Sequence, residues 1–131
     1  MASANDRHPI MTQAAPAAIG PYSQAISSAD LLFLSGQIPL DPTTGEMITG
    51  DVRAQTERVM ANLEAVLAAG GTSFERVLKT TIFVTDLADF KTVNEVYATR
   101  FVGVAPPARS TVQVAALPRG AKVEIEMIAR L

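Results

Sequence analysis

Arg109 opens an alternating segment directly after Pro106-Pro107-Ala108. A guanidinium presents a flat fork of donors that matches a carboxylate in bidentate geometry, and the prolines behind it would hold its base stiffly. A surface or intersubunit ion pair is the other use of such an arginine. Asn94 falls on a helical stripe where an apolar residue belongs. A buried amide needs partners, which are either a neighbouring loop or a ligand. Glu124 and Glu126 share one face of a strand, because side chains alternate with period two. Two such carboxylates divide labour, one holding a water and one pairing with a cation, or else form a solvated face. Tyr22 follows Gly20-Pro21, and Ser35-Gly36 interrupts the apolar run Leu31–Leu34. A glycine there admits a ligand or a second backbone, or marks a bulge.

What the chain lacks narrows the chemistry further. It has 131 residues, no cysteine and one histidine. Those counts exclude a thiol nucleophile, a disulfide framework, an iron–sulfur site and Cys-ligated zinc, and one chain cannot supply a multi-histidine metal site. His8 lies beside Pro9 in a polar N-terminal stretch, a poor base for a Ser-His-Asp triad. No glycine loop has a phosphate-binding spacing. Catalysis would therefore rest on Arg, Glu, Asp, Tyr, Ser, Asn, backbone groups and water, with no metal and no cofactor.

The net charge of −2 offers no basic field to a nucleic acid, so no such partner is expected. Apolar residues reach 48%, yet no run approaches the roughly eighteen a membrane helix needs. The first nine residues are polar and carry no secretory signal, which makes the cytoplasm the default location. Charged residues are 18% of the chain. A typical globular chain has about 25%, so some surface is expected to be buried in an oligomer.

These residues need elements to position them. Residues 1–8 read as a flexible N-terminal segment and 9–131 as one domain. Tyr22–Ile26 and Leu31–Ile38 read as strands joined by a turn at Ser27-Ser28-Ala29-Asp30. Residues 39–50 read as a loop. Asp51–Ala69 is the clearest helix, with Val52, Thr56, Val59, Met60, Leu63, Val66 and Leu67 on one stripe and Gly70-Gly71 as its stop. Val77–Thr85 reads as a strand buried on both faces. A second helix runs from a cap at Asp86 to Phe101, with Phe90, Val93, Asn94, Tyr97 and Phe101 inward. Arg109–Ala116 and Lys122–Ala129 read as closing strands joined by a hairpin turn at Leu117-Pro118-Arg119-Gly120. The fold class is α+β, a mixed sheet of five to six strands with two helices packed on one face. Thr111, Gln113, Glu124 and Glu126 are expected on the open face, which suits association with further copies.

Five segments, in order, resemble a known family. They are Gly20-Pro21-Tyr22-Ser23-Gln24-Ala25, Leu34-Ser35-Gly36-Gln37-Ile38-Pro39, Lys79-Thr80-Thr81-Ile82-Phe83-Val84-Thr85-Asp86-Leu87, Pro107-Ala108-Arg109-Ser110-Thr111-Val112 and Val123-Glu124-Ile125-Glu126. Together they look like the Rid family (YjgF-like proteins), and the RidA subfamily most closely. The resemblance implies a fold like that of the trimeric chorismate mutases and a homotrimer with sites in the clefts between subunits. It implies hydrolysis of 2-imino acids, such as 2-iminopropanoate and 2-iminobutanoate, or of their enamine tautomers, to 2-oxo acids and ammonia. By the same resemblance Arg109 grips the substrate carboxylate, Gly36 and Thr111 offer backbone groups near it, Glu124 orients the attacking water, and Tyr22, Ser35 and Asn94 line the pocket. Many relatives carry Cys where Thr111 stands, and a backbone contact there should survive the exchange. The competing reading is a non-catalytic protein that binds or senses a small carboxylate in the same cleft. A ribonuclease role, attached to some relatives, fits poorly with the acidic balance and the lack of a histidine base.

Overall fold

The computed structural model describes residues 6–131, which form one mixed six-stranded sheet covered on one face by two helices. The strands are β1 (His8–Ile10), β2 (Ala25–Ser28), β3 (Leu31–Gln37), β4 (Val77–Val84), β5 (Ala108–Gln113) and β6 (Val123–Arg130), and the helices are α1 (Val52–Ala69) and α2 (Phe90–Ala98). The strand order is β1-β2-β3-β6-β4-β5. Only β4 and β5 run parallel; every other pair is antiparallel.

The core lies between the sheet and the helices. Leu32, Leu34, Ile82, Val84, Val123, Ile125 and Met127 point from the strands toward Val59, Met60, Leu63, Val66 and Leu67 of α1 and Val93, Val96 and Tyr97 of α2. All seven stripe residues expected on α1 are buried, and Asp51 caps its start by accepting from the Ala54 N–H at 3.0 Å. Asn62, inside that stripe, is fully buried, and its amide is matched: Nδ2 donates to the Leu40 carbonyl at 3.0 Å, and Oδ1 accepts from Arg58 Nε at 3.0 Å. This ties the loop after β3 to the helix. Among the described residues no helix is long and apolar enough to cross a membrane.

Several expectations are corrected. Residues 1–5 of the N-terminal segment lie outside the described residues, but His8 is not loose: it opens β1 opposite Ser27, and its ring is 3.0 Å from Asp6. Pro9 is tolerated there because β1 is an edge strand. Tyr22 precedes β2 rather than starting it, and the turn into β3 shortens to Ala29-Asp30, with Ala29 at φ 52°. β4 is buried on one face only, with Val77, Thr80, Ile82 and Val84 inward. The second helix is shorter than expected, because Asp86 caps a 3-10 turn (Leu87–Asp89) that precedes α2. The closing strands do not form a hairpin, because β4 lies between β5 and β6. Thr111 and Gln113 sit on the helix side of β5, opposite Ile82 and Val84, and only Glu124 and Glu126 of the expected set face away from the helices.

Asn62→Ala strands the Leu40 carbonyl without its buried donor. The expected loss is about 1–3 kcal/mol, measured by urea unfolding at fixed protein concentration with the denaturant slope unchanged.

Candidate active site

The residues with chemical potential gather in two places on opposite sides of the sheet. The first lies under α2. Arg109 pairs with Thr80 across the β4–β5 register, so its side chain rises on the helix side. There its guanidinium carbon stands 5.1 Å from the centre of the Tyr97 ring and 5.5 Å from that of Phe90. Nη1 donates to Asn94 Oδ1 at 2.6 Å. Among the described residues no carboxylate pairs with it, and its other nitrogens donate to none. The ion-pair alternative thus finds no acid among the described residues, and the Asn94 amide serves the arginine. The guanidinium borders a cavity of about 470 Å³ walled by Asn94, Tyr97, Ala98, Phe101, Pro106 and Pro107.

The heptad spacing of α2 makes this arrangement. Phe90, Asn94 and Tyr97 follow at steps of four and three and therefore share one face. Tyr97 is further fixed from below, since its hydroxyl and Thr80 Oγ1 on β4 are 2.8 Å apart. Burial pushes the Tyr97 phenol up, against the opposing pull of the Thr80 hydrogen bond and of nearby Arg109. It stays neutral near pH 7.

Thr111 lies two residues beyond Arg109 on the same side, with its hydroxyl buried and without a partner. Its backbone is better placed. The Val114 N–H donates to the Val84 carbonyl at 2.9 Å. In a parallel ladder bonding residues alternate, so the N–H and C=O of Arg109 and Thr111 face the unpaired edge of the sheet.

The second place is the opposite face, around β3 and β6. The register between these strands slips between Leu34 and Gln37, which makes Ser35-Gly36 a bulge. The same glycine also allows close approach: a Cβ at Gly36 would run into the carboxylate of Glu124. The bulge reading therefore holds, and what approaches the glycine is a side chain, the Glu124 carboxylate, rather than a ligand or a second backbone. Ser35 Oγ donates to the Ser23 carbonyl at 2.5 Å, which joins the bulge to the segment carrying Tyr22. Tyr22 is 54% exposed and borders a separate cavity of about 720 Å³ between residues 9–24 and Pro42-Thr43. Glu124 is half-buried, and burial first, then the nearby Glu126 charge, raises its carboxyl above the usual range. No group of three or more metal-binding side chains occurs among the described residues.

Of the residues singled out from sequence, Arg109, Asn94 and Thr111 stand on one side, and Ser35, Gly36 and Glu124 on the other. Tyr22 belongs to a third wall. Sequence reasoning took Tyr97 and Phe90 only as core residues and missed Thr80. The aromatic spacing around Asn94 was the available signal.

Comparison with known proteins places this geometry in a family. A family model described as endoribonuclease L-PSP matches residues 12–131. The chain is 53% identical to reactive intermediate deaminase A, chloroplastic, of Arabidopsis thaliana, over 99% of this chain and 69% of that one. It is 50% identical to the 2-iminobutanoate/2-iminopropanoate deaminase of Mus musculus, over 94% and 90%. Its fold matches E. coli TdcF with bound serine at a TM-score of 0.90 and 46% identity, over 95% and 98% of the two chains.

The raised carboxyl has a directional consequence. A folded value above the unfolded one means that the contribution of Glu124 to stability is complete below the ordinary carboxylate range and is lost as pH rises through the raised value. In a carbon-13 titration Glu124 is expected to ionise above ordinary glutamate. Glu126→Gln removes a like charge and should bring it part of the way down, with the share due to burial remaining.

Proposed function

The chain belongs to the Rid family, and we propose that it hydrolyses 2-imino acids and their enamine tautomers, such as 2-iminopropanoate and 2-iminobutanoate, to 2-oxo acids and ammonia. The observation that carries this reading is the guanidinium of Arg109. It is held by Asn94 and two aromatic rings, is paired with no acid of the described residues, and is open to a cavity. Such a group takes a small carboxylate in bidentate geometry. The names of the plant and mouse relatives support the substrate class. The serine bound to TdcF shares with an imino acid a carboxylate attached to a nitrogen-bearing carbon.

The reaction asks little of the protein. Once its nitrogen is protonated, the imine carbon is electrophilic. Water adds to that carbon to give a carbinolamine; the C–N bond then breaks, releasing ammonia and leaving the 2-oxo acid. An enamine first takes a proton at carbon to become the same iminium. Arg109 fixes the carboxylate with the edge N–H of Thr111 beside it, while a second copy brings the backbone of its Gly36 and its Glu124, which accepts a hydrogen bond from the attacking water. Ser35, Tyr22 and Asn94 shape the pocket. No metal or cofactor enters the scheme.

Arg109 and Glu124 lie on opposite sides of one sheet, so a small substrate that meets both must sit between two copies. A homotrimer with its open faces packed inward supplies such clefts. The open face suits this, with Phe33 43% exposed and Ile128, Thr81 and Phe83 partly covered. We place the protein in the cytoplasm and assign it no nucleic-acid or membrane partner.

Ammonia release from freshly generated 2-iminopropanoate is the assay. Arg109→Ala should raise KM by roughly a hundredfold or more, while sedimentation still reports three chain masses. Glu124→Gln should lower kcat by about 10²–10⁴-fold. Wild-type protein that binds 2-oxo acids but does not exceed buffer would select the non-catalytic carboxylate-binding reading instead.

A further inference from the structure

We propose that Tyr97 is a positioning residue for the carboxylate anchor, its ring held by Thr80 so that it and Asn94 fix the guanidinium of Arg109 with its free edge toward the cavity. This rests on the reading of Arg109 as the substrate's anchor and extends it to the groups that hold the guanidinium in place.

An arginine side chain is long and loses much rotamer freedom when it is held in one geometry. A single hydrogen bond to Asn94 fixes one nitrogen but leaves the plane free to swing about it. The two aromatic faces remove that freedom. Phe90 and Tyr97 lie 5.5 and 5.1 Å from the guanidinium carbon, within the reach of cation–π attraction. The rings differ in how they are held. Tyr97 is 4% exposed, packs against Phe101 with centroids 4.8 Å apart, and shares a 2.8 Å hydrogen bond with Thr80. Phe90 stands at the start of α2, only partly covered and without a polar tether.

Thr80 is fully buried and pairs directly with Arg109 across the β4–β5 register. The strand that carries the arginine and the strand that tethers the tyrosine are thus hydrogen-bonded neighbours. Side-chain contacts close a loop from β4 through α2 to β5: Thr80 to Tyr97, Tyr97 to Arg109, and Arg109 to Asn94 one turn back on the same helix. Thr80 does not border the cavity, so its effect on catalysis must pass through Tyr97.

The test compares Tyr97→Leu, Tyr97→Phe and Thr80→Val with wild type, on 2-iminobutanoate and on an imine that lacks a carboxylate. Tyr97→Leu removes the ring face and should raise KM for the acid roughly three- to thirtyfold. Tyr97→Phe and Thr80→Val keep the ring but cut its tether, and should raise KM about two- to fivefold. In all three kcat should stay within about twofold, because an anchor used equally in ground and transition states acts on KM. Thr80→Val, which does not border the cavity, should leave turnover of the uncharged imine unchanged. Thermal melts establish that each variant is folded, and the two mild variants carry the test if Tyr97→Leu does not fold. Unchanged KM in the folded variants, or an equal loss on both imines, overturns the proposal. Calorimetric binding of 2-oxobutanoate is the second readout: affinity that falls in the same order supports the anchor role even if the wild type proves inactive, a result that would count against the hydrolase reading alone.

Discussion

Side chains alternate across a sheet, and much of this protein's organisation follows from where that alternation puts two charges. Arg109 shares a face with Thr80 and Ile82, under α2, while Glu124 pairs with Phe83 and points away from both helices. The sheet backbone lies between them. One chain therefore presents two charges apart: an unpaired guanidinium at the β5 edge and a carboxylate beside the Gly36 bulge. No loop movement brings the two charges together, because both sit on strands of one sheet and on opposite faces of it. On the proposed reading, a second copy completes the site.

An unpaired guanidinium beside an apolar cavity carries a desolvation cost that neighbours must offset. Here the neighbours are chosen so as not to neutralise it. Asn94 accepts a hydrogen bond without bringing a charge, and two rings offer their negative faces without competing for the donors. A glutamate at position 94 would hold the arginine more tightly and would occupy the fork that a substrate needs. The polar interruption of an otherwise apolar helical stripe thus has a definite use: it keeps the cation in place and keeps it available.

The helical parts of this design could be read from the chain because they are local. The α1 stripe and its Asp51 cap depend on residues three and four apart and appear where the periodicity puts them. On α2, Val93 and Tyr97 are buried as expected, Val96 is buried unannounced, Phe90 and Asn94 are only partly covered, and Phe101 lies past the helix end. The sheet was harder, because its order is not local. Leu117–Gly120 has hairpin chemistry, yet β4 enters between β5 and β6 and turns a short connection into a crossing. Alternation along β5 is plain in the sequence, but which parity faces inward is decided by α2, far away in the chain; this is why Thr111 and Gln113 lie on the covered side. The three residues of β1 carry too little pattern to announce a strand. Gly36 was open to two explanations, and the strand slip and the approach of Glu124 occur together there.

The pairing of an arginine with a second-half carboxylate also bears on what kind of acid the cleft can hold. A site built to retain a plain carboxylate gains nothing from Glu124, whose negative charge repels the ligand. Burial and Glu126 already make that charge costly, which the raised carboxyl reports. A protonated 2-imino acid is different: it carries an anion at one end and a cation one bond away. On the proposed reading Arg109 and Glu124 match those two charges in order, so a cleft between copies would be complementary to the iminium. Hydrolysis removes the cation as ammonium and leaves a 2-oxo acid with only the anionic end. On that reading the product faces Glu124 without compensation, and the carboxylate that aligns the water favours its departure. Charge placement would then favour substrate over product, the property that separates a turnover site from a sensor.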